Sequence, residues 1–331
     1  MDGLKLLKSY KNGNYNVSIY DDGTKIRETD EDEFIAEFPE NIDIKISDKC
    51  DLGCAFCHEN STPDGKNAKF DQEFLWSLRE GTELAIGGGN VFENEQLVDF
   101  LQFCKRRGII ANLTVNQSHA FNISKYGDNE YIHSELESLH DRNLLNGVGI
   151  SYNGDAENLI KFYNYSKEID KYSSIGGTRL NSNNFVVHVI NGIHSFEDIM
   201  KLANRGIKIL ILGYKDVRRG ELFRISEDES IKRNQKSVYD NIHKIINAFK
   251  VVSFDNLALE QLEIKRLLTT EEWNEFYMGS DAKHTMYIDL VNEEFSMNSC
   301  TTNQRHKLLP TIDEMFKVVV EEGREYFKNK L

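Results

Sequence analysis

The sequence predicts an α/β fold: a mostly parallel sheet with helices outside it, curled into an open, TIM-like partial (β/α)6 barrel. Three observations carry this expectation. Strand-like and helix-like segments alternate six times between residues 41 and 250, the pattern of βαβ units. Crossovers of that kind are right-handed and wrap helices onto the sheet. Only three prolines occur, Pro39, Pro63 and Pro310, and no low-complexity linker divides the chain. Six units fall short of the eight that close a TIM barrel. Residues 1–40 read as a short N-terminal β extension, residues 41–250 as the partial barrel, and residues 251–331 as a C-terminal hairpin and helix over its mouth.

The elements follow in order. In the extension, YNVSIYDDGTKIRE reads as a strand, a turn at Asp21-Asp22-Gly23 and a second strand. Asn41 to Asp48 alternates Ile42, Ile44 and Ile46 with polar residues, the period of a strand. Glu83 to Ile86 is the second strand and runs into Gly87-Gly88-Gly89. Leu97, Leu101 and Cys104 share one helical face, and Gly108 stops that helix. Ile109 to Val115 is the third strand. A helix around Glu135 to Leu145 leads to the fourth, Gly147 to Tyr152. Asp155 caps a helix carrying Leu159, Ile160 and Tyr163. Phe185 to Ile190 is the fifth strand. Ser195 to Asp198 forms a capping box whose helix Gly206 closes. Ile207 to Gly213 is the sixth strand, and Lys236 to Lys250 places Val238, Ile242, Ile245, Ile246 and Phe249 at helical spacing. His284 to Ser296 reads as a hairpin, followed by Cys300 and a final helix.

Bulk properties narrow the function. The 331 residues are 40% hydrophobic and 28% charged, a globular composition. No apolar run is long enough to span a bilayer, and the first residues lack a signal region. The expectation is a cytoplasmic protein without a membrane partner. A net charge of −14 argues against nucleic acid. Arg218 and Arg219 read as a solvated turn. Five cysteines, three of them within eight residues, do not form a disulfide framework.

Cys50-Asp-Leu-Gly-Cys54-Ala-Phe-Cys57 directly follows the first barrel strand. Loops after strands build the face where barrel active sites sit. Thiolates suit iron–sulfur clusters and zinc. Three cysteines on one loop can hold three irons of a cubane and leave the fourth open. The competing reading is zinc, with His58, Cys104 or Cys300 as the fourth ligand. That would make the chain a zinc- or cluster-stabilised binding protein. No second pair of closely spaced cysteines exists to complete a zinc knuckle.

The C-x3-C-x2-C spacing with Phe56 before the last cysteine resembles the signature of the radical S-adenosylmethionine (SAM) enzymes. The resemblance implies a [4Fe–4S] cluster on Cys50, Cys54 and Cys57, with SAM chelating the open iron. One electron, from a donor such as flavodoxin or ferredoxin, cleaves SAM to methionine and a 5′-deoxyadenosyl radical. That radical abstracts hydrogen from a peptide or small-molecule substrate. The family carries a GGE-like motif at the place of Gly87, Gly88, Gly89 and Asn90, where it binds the methionine amino group. Here Asn90 replaces the acid, and Glu93 lies nearby. By the same resemblance, Ser151 and Asn153 hold the SAM ribose and carboxylate. Ile190 and Leu212, at the ends of strands five and six, lie where adenine contacts fall, and Tyr214 could pack on that ring. Thr114 and Asn116 end the third strand and face SAM or substrate, or satisfy their own loop.

Cys104 reads as a core residue. Cys300 reads as a catalytic candidate, a hydrogen donor facing the site, or else as an incidental thiol. With only these two cysteines outside the signature, no auxiliary cluster is expected, and the C-terminal segment is a cysteine-poor remnant of an auxiliary-cluster domain. The stretch His58 to Lys66 reads as a lid or a solvated loop. Asp281, Asp289, Tyr277 and Tyr287 read as surface and packing. The first forty residues are too few for most independent peptide-recognition folds.

Overall fold

The computed structural model describes residues 5–20, 23–126, 129–172 and 184–330. Its strands are β1 (Leu6–Asn12), β2 (Tyr15–Tyr20), β3 (Lys25–Glu28), β4 (Asn41–Ser47), β5 (Glu83–Gly88), β6 (Ile110–Asn116), β7 (Asn122–Tyr126), β8 (Asn129–His133), β9 (Gly147–Ser151), β10 (Phe185–Ile190), β11 (Lys208–Leu212), β12 (Val251–Phe254), β13 (Thr285–Asp289), β14 (Glu294–Ser296) and β15 (His306–Lys307). The turn residues Asp21 and Asp22 lie outside the described part.

All six expected barrel strands form. They belong to one ten-stranded sheet in the order β12-β11-β10-β9-β6-β5-β4-β13-β14-β15. The ladder from β12 to β13 is parallel throughout, and β14 and β15 are antiparallel. The expected hairpin over His284–Ser296 is present as β13 and β14. Beyond its own pairing, β13 adds in parallel to β4, Tyr287 opposite Asp43. Among the described residues the sheet ends at β12 and β15 without closing.

Helix boundaries follow local chemistry. The helix Leu97–Arg107 ends on Gly108 at φ 68°, which caps it through backbone bonds to Cys104 and Lys105. The Ser195–Asp198 capping box is complete, but its helix stops at Met200 and not at Gly206. Leu202 and Ala203 donate to Ile199 and Met200, tightening the last turn into i→i+3 bonds. The helix expected over 236–250 is instead two, Arg219–Asp240 and Ile242–Ala248. Asn241 interrupts them and donates its amide to the Ser237 carbonyl. Among the described residues, no helix is long and apolar enough to cross a membrane.

The N-terminal extension holds one strand more than expected. β1, β2 and β3 form a small antiparallel sheet packed on Tyr15, Val17 and Ile19. It is joined to the main sheet at Glu40, which has no solvent exposure. Arg27 grips the Glu40 carboxylate with Nε at 2.7 Å and Nη2 at 2.8 Å. Lys25 lies at 3.2 Å, the Tyr15 hydroxyl donates at 2.5 Å, and the Tyr15 hydroxyl also meets His284 Nδ1 at 3.1 Å. The Glu40 backbone bonds to His284 and Glu83, so the starts of β4, β5 and β13 are fixed together.

Burial alone would raise the Glu40 carboxyl, but Arg27 and Lys25 reverse this and hold it down at about 2. Glu40→Ala leaves the guanidinium buried and unpaired, so a urea titration should show a loss of about 3–5 kcal/mol. A free glutamate titrates near 4.3. The lowered value makes the Glu40 contribution complete above about pH 5 and lost as the pH falls toward 2. The variant's stability should therefore be flatter than the parent's across that acid limb.

Candidate active site

β4 presents Ile42, Ile44 and Ile46 to the helices and turns Asp43, Lys45 and Ser47 inward, where its C-terminal end opens into the cysteine loop. That loop is tightly tied. Asp48 donates its backbone N–H to the Lys66 carbonyl at 2.8 Å, Thr62 to Asp48 at 2.9 Å, and Cys50 to Thr62 at 2.9 Å. Cys57 donates to the Cys54 carbonyl at 3.2 Å. All three thiols are free and partly exposed. Burial pushes the Cys50 and Cys54 thiols up. Cys50, Asp51 and His119 bring one ligand atom each within 4.8 Å of the others, and His119 Nε2 meets Asp51 at 2.7 Å. Cys104 is buried in the core, its thiol pushed up to about 12 by burial.

The stretch His58 to Lys66 is solvated over Thr62, Pro63 and Asp64, as a loop reading expects, but it is anchored at Glu59 and Ser61, which are buried. Glu59 is buried, with Arg218 Nη1 at 3.1 Å, the Tyr287 hydroxyl at 3.0 Å and Lys45 at 3.5 Å. Lys45 also pairs with Asp289 at 2.9 Å and Asp48 at 2.5 Å. Burial would raise the Glu59 carboxyl, yet the surrounding hydrogen bonds and cations hold it well below the usual range. Arg218 further bonds the His58 carbonyl, and Arg219 bonds Ser61. The expected solvated Arg218-Arg219 turn is therefore a clamp on the cysteine loop. Asp289 and Tyr287, read as surface and packing, are buried members of that clamp.

Lys215, just after β11, places Nζ 3.1 Å from His58 Nε2 and 2.8 Å from Ser299 Oγ. In a flat sheet the ends of β11 and β4, five strands apart, would be separated by roughly 24 Å. The contact requires the sheet to curl, and it gathers the loops after β4, β11 and β14 at one end.

The other expected residues stand on this same end. Gly88, at φ 121°, has no room for a side chain: a Cβ would lie 2.4 Å from the Ser47 carbonyl oxygen. At Gly89 the Lys49 carbonyl oxygen would be 2.3 Å away. The Gly89 and Asn90 amides donate to those two carbonyls at 2.7 Å each. These glycines are needed first for packing against the cysteine loop. Gly87 differs, because its added Cβ would meet only Thr114 at 3.7 Å. The Asn90 side chain accepts from Phe92, and Glu93 pairs with Lys49 at 2.7 Å. Asn116 caps Ser118, and Asn153 bonds Ser118 and Asp155. Ser151 ends β9 opposite both Asn116 and His188. Ile190 and Leu212 are paired at the ends of β10 and β11, and Tyr214 is buried with its hydroxyl on Gly220.

Sequence reasoning missed His188 as a functional side chain. It shares the inward face with Ile190, and Gly149 makes room for its ring, since a Cβ there would lie 2.3 Å from it. His188 Nδ1 is buried with no hydrogen-bond partner among the described residues. Burial, aided by Lys215, pushes this imidazole down to about 4. A single histidine within an otherwise apolar strand was the available signal.

Cys300 lines a cavity of about 1060 Å³ together with Asp43, Lys215, Asp255 and Asp281. Burial raises its thiol, while Lys215 and the Ser299 hydrogen bond oppose that rise.

No protein-family model matches the sequence, and no curated protein matches it. Solved structures do. SuiB of Streptococcus suis, a radical SAM enzyme, matches as its complex with S-adenosylmethionine at 16% identity and TM-score 0.51, over 88% of this chain and 68% of that one. Its complex with the precursor peptide SuiA matches at 16% identity and TM-score 0.50, over 87% and 67%. The chain thus has the fold of a radical SAM enzyme.

The glycine contacts yield a test. Gly88→Ala and Gly89→Ala should each lower stability by at least about 1–3 kcal/mol, the cost of overpacking. Gly87→Ala should unfold within about 1 kcal/mol of the parent. Thermal or urea unfolding of the three variants is the measurement.

Proposed function

We propose that this chain is a radical SAM enzyme acting on a peptide substrate, with residues 41–250 forming a partial (β/α)6 barrel that carries the SAM machinery. The observation that supports it most is the placement of Cys50, Cys54 and Cys57. They sit on one pre-tied loop at the C-terminal end of β4, in a fold shared with a SAM-bound enzyme.

The residues fit the groups this reading requires. Three soft, free, partly exposed thiols on one loop suit three irons of a cubane and leave a position for SAM. Elsewhere on the strand ends, Gly87 would hold a Cβ at ordinary contact distance from Thr114, and His188 Nδ1 has no hydrogen-bond partner among the described residues. A [4Fe–4S] cluster held by Cys50, Cys54 and Cys57 would supply the electron that cleaves SAM into methionine and a 5′-deoxyadenosyl radical. The chain's own residues do the positioning. Gly88, Gly89 and Asn90 brace the cysteine loop through backbone bonds. The polar ends of β9 and β10 offer Ser151 and His188 to the nucleoside, and Ile190 and Leu212 offer apolar surface to adenine. Loops from both flanks of the sheet shield the radical from bulk water. The precursor-peptide complex of SuiB supports a peptide substrate. An electron donor such as flavodoxin or ferredoxin completes the cycle.

Anaerobic reconstitution should give about four irons and four sulfides per chain. Dithionite with SAM should then release 5′-deoxyadenosine and methionine. Replacing Cys50, Cys54 and Cys57 together with Ala should abolish both iron uptake and cleavage. Stoichiometric zinc that resists iron, or full cleavage by the triple variant, would overturn the assignment in favour of a metal-stabilised binding protein.

A further inference from the structure

The cavity beside Cys300 shares only Tyr214 with the cofactor positions considered above. It occupies the interval between the two flanks of the open sheet. Asp43 reaches it from the inner face of β4, Asp255 from the end of β12, and Asp281 from the turn before β13. At about 1060 Å³ it stands at the upper limit of small-molecule sites, larger than one amino acid requires. Its outer wall carries the stacked pair Trp273 and Tyr277, with ring centroids 4.6 Å apart, together with the exposed Tyr326.

Its charge is unbalanced. Among the described residues, none of Asp43, Asp255 and Asp281 forms an ion pair. The cations that line the cavity have partners other than these three carboxylates. Lys215 bonds His58 and Ser299. Lys265 lies over the Trp273 ring at 5.5 Å, and Arg266 lies over Tyr239 at 4.0 Å. Asp255 accepts the backbone N–H groups of Gly213 and Ala258, and Asp281 accepts the amides of Asn256 and Asn298. Asp43 has no hydrogen bond among the described residues. Its side chain is exposed to the open cavity, yet desolvation by the surrounding protein, with the Asp281 and Asp255 charges and against Lys215, pushes its carboxyl up to about 6. Among the described residues, Lys215 is the one cation acting on both Asp43 and Asp255.

We infer that this cavity is the substrate site and that it takes a peptide segment bearing a lysine or arginine side chain. The basic side chain reaches Asp43 past Asp255 and Asp281, and apolar neighbours in the peptide rest on Trp273, Tyr277 and Tyr326. The inference rests on the peptide reading above, but it is tested by binding, which needs neither turnover nor a bound cluster.

The experiment measures fluorescence anisotropy of fluorescein-labelled Lys-Phe-Lys-Phe-Gly-amide and of Glu-Phe-Glu-Phe-Gly-amide on the full chain. Measurements are made at 150 mM salt, roughly an 8 Å screening length. The basic peptide should bind at least tenfold more tightly. Asp43→Asn should reduce that preference severalfold. Because Asp43 has no hydrogen-bond partner, the variant should keep the parent's circular dichroism spectrum. Asp281→Asn should act in the same direction, and Asp43→Asn decides if Asp281→Asn fails to fold. Equal binding of the two peptides would overturn the inference. So would an effect no larger than that of the distant surface change Glu197→Gln, which would mean that net charge alone attracts the peptide. Displacement by spermidine at the same concentration as by unlabelled basic peptide would also overturn it, assigning the cavity to a free amine.

Discussion

The buried Glu59 carboxylate is the interaction on which the arrangement of the site depends. Glu59 lies two residues after Cys57, and it holds Arg218 from beyond β11, Tyr287 from β13 and, more loosely, Lys45 from β4. An open sheet has no ladder of backbone bonds across its gap, so side chains must span it. A buried ion cluster suits that duty because removing one member strands the charges of the others. Lys215 adds a second crossing, from His58 to Ser299. The cysteine loop is thereby coupled to the C-terminal hairpin, although roughly 230 residues of sequence separate Glu59 from Tyr287.

This explains a feature of β4 that its sequence shows but does not interpret. Strands of a parallel sheet covered on both faces read as continuous apolar runs. β4 instead alternates isoleucine with Asp43, Lys45 and Ser47. In an antiparallel sheet such alternation means one face in water. Here the polar face looks into the curled sheet, toward other charged side chains and a cavity. The interior of this fold is polar by construction at β4, and the helices take the apolar face.

The legible parts were those with local signals. Six strands and several caps followed from periodicity, Gly108 and the Ser195–Asp198 box among them. What was not legible came from contacts distant in sequence. Nothing within residues 285–289 indicates that β13 pairs with β4, because strand pairing is a tertiary choice. The first half of the Arg219–Asp240 helix was missed for a related reason. Leu222 and Ile225 are exposed, only Ile231 and Val238 among its large apolar residues are buried, and no apolar stripe marks it. Arg218 and Asp289 looked like ordinary surface residues because a charge announces its partner only after the chain has folded. At the site, the cysteine motif was visible as a motif, whereas the Glu59 clamp around it was not.

The glycines after β5 illustrate how one signal can have two physical causes. A run of glycines permits close approach of backbone to a ligand or of backbone to backbone. At Gly88 and Gly89 the second cause is present, since the carbonyls of Ser47 and Lys49 occupy the space where a Cβ would stand. At Gly87 that cause is absent. The distinction bears on how the cysteine loop is organised. Small zinc domains fold only when metal is added, and their binding free energy is folding free energy. The loop here is fixed by protein bonds alone: Gly89 and Asn90 from β5, Thr62 and Lys66 from its own return, and the ions around Glu59. Most of its ordering entropy is therefore met by the fold. A loop organised in this way carries Cys50, Cys54 and Cys57 on backbone already ordered by protein bonds, and metal affinity need not drive its folding.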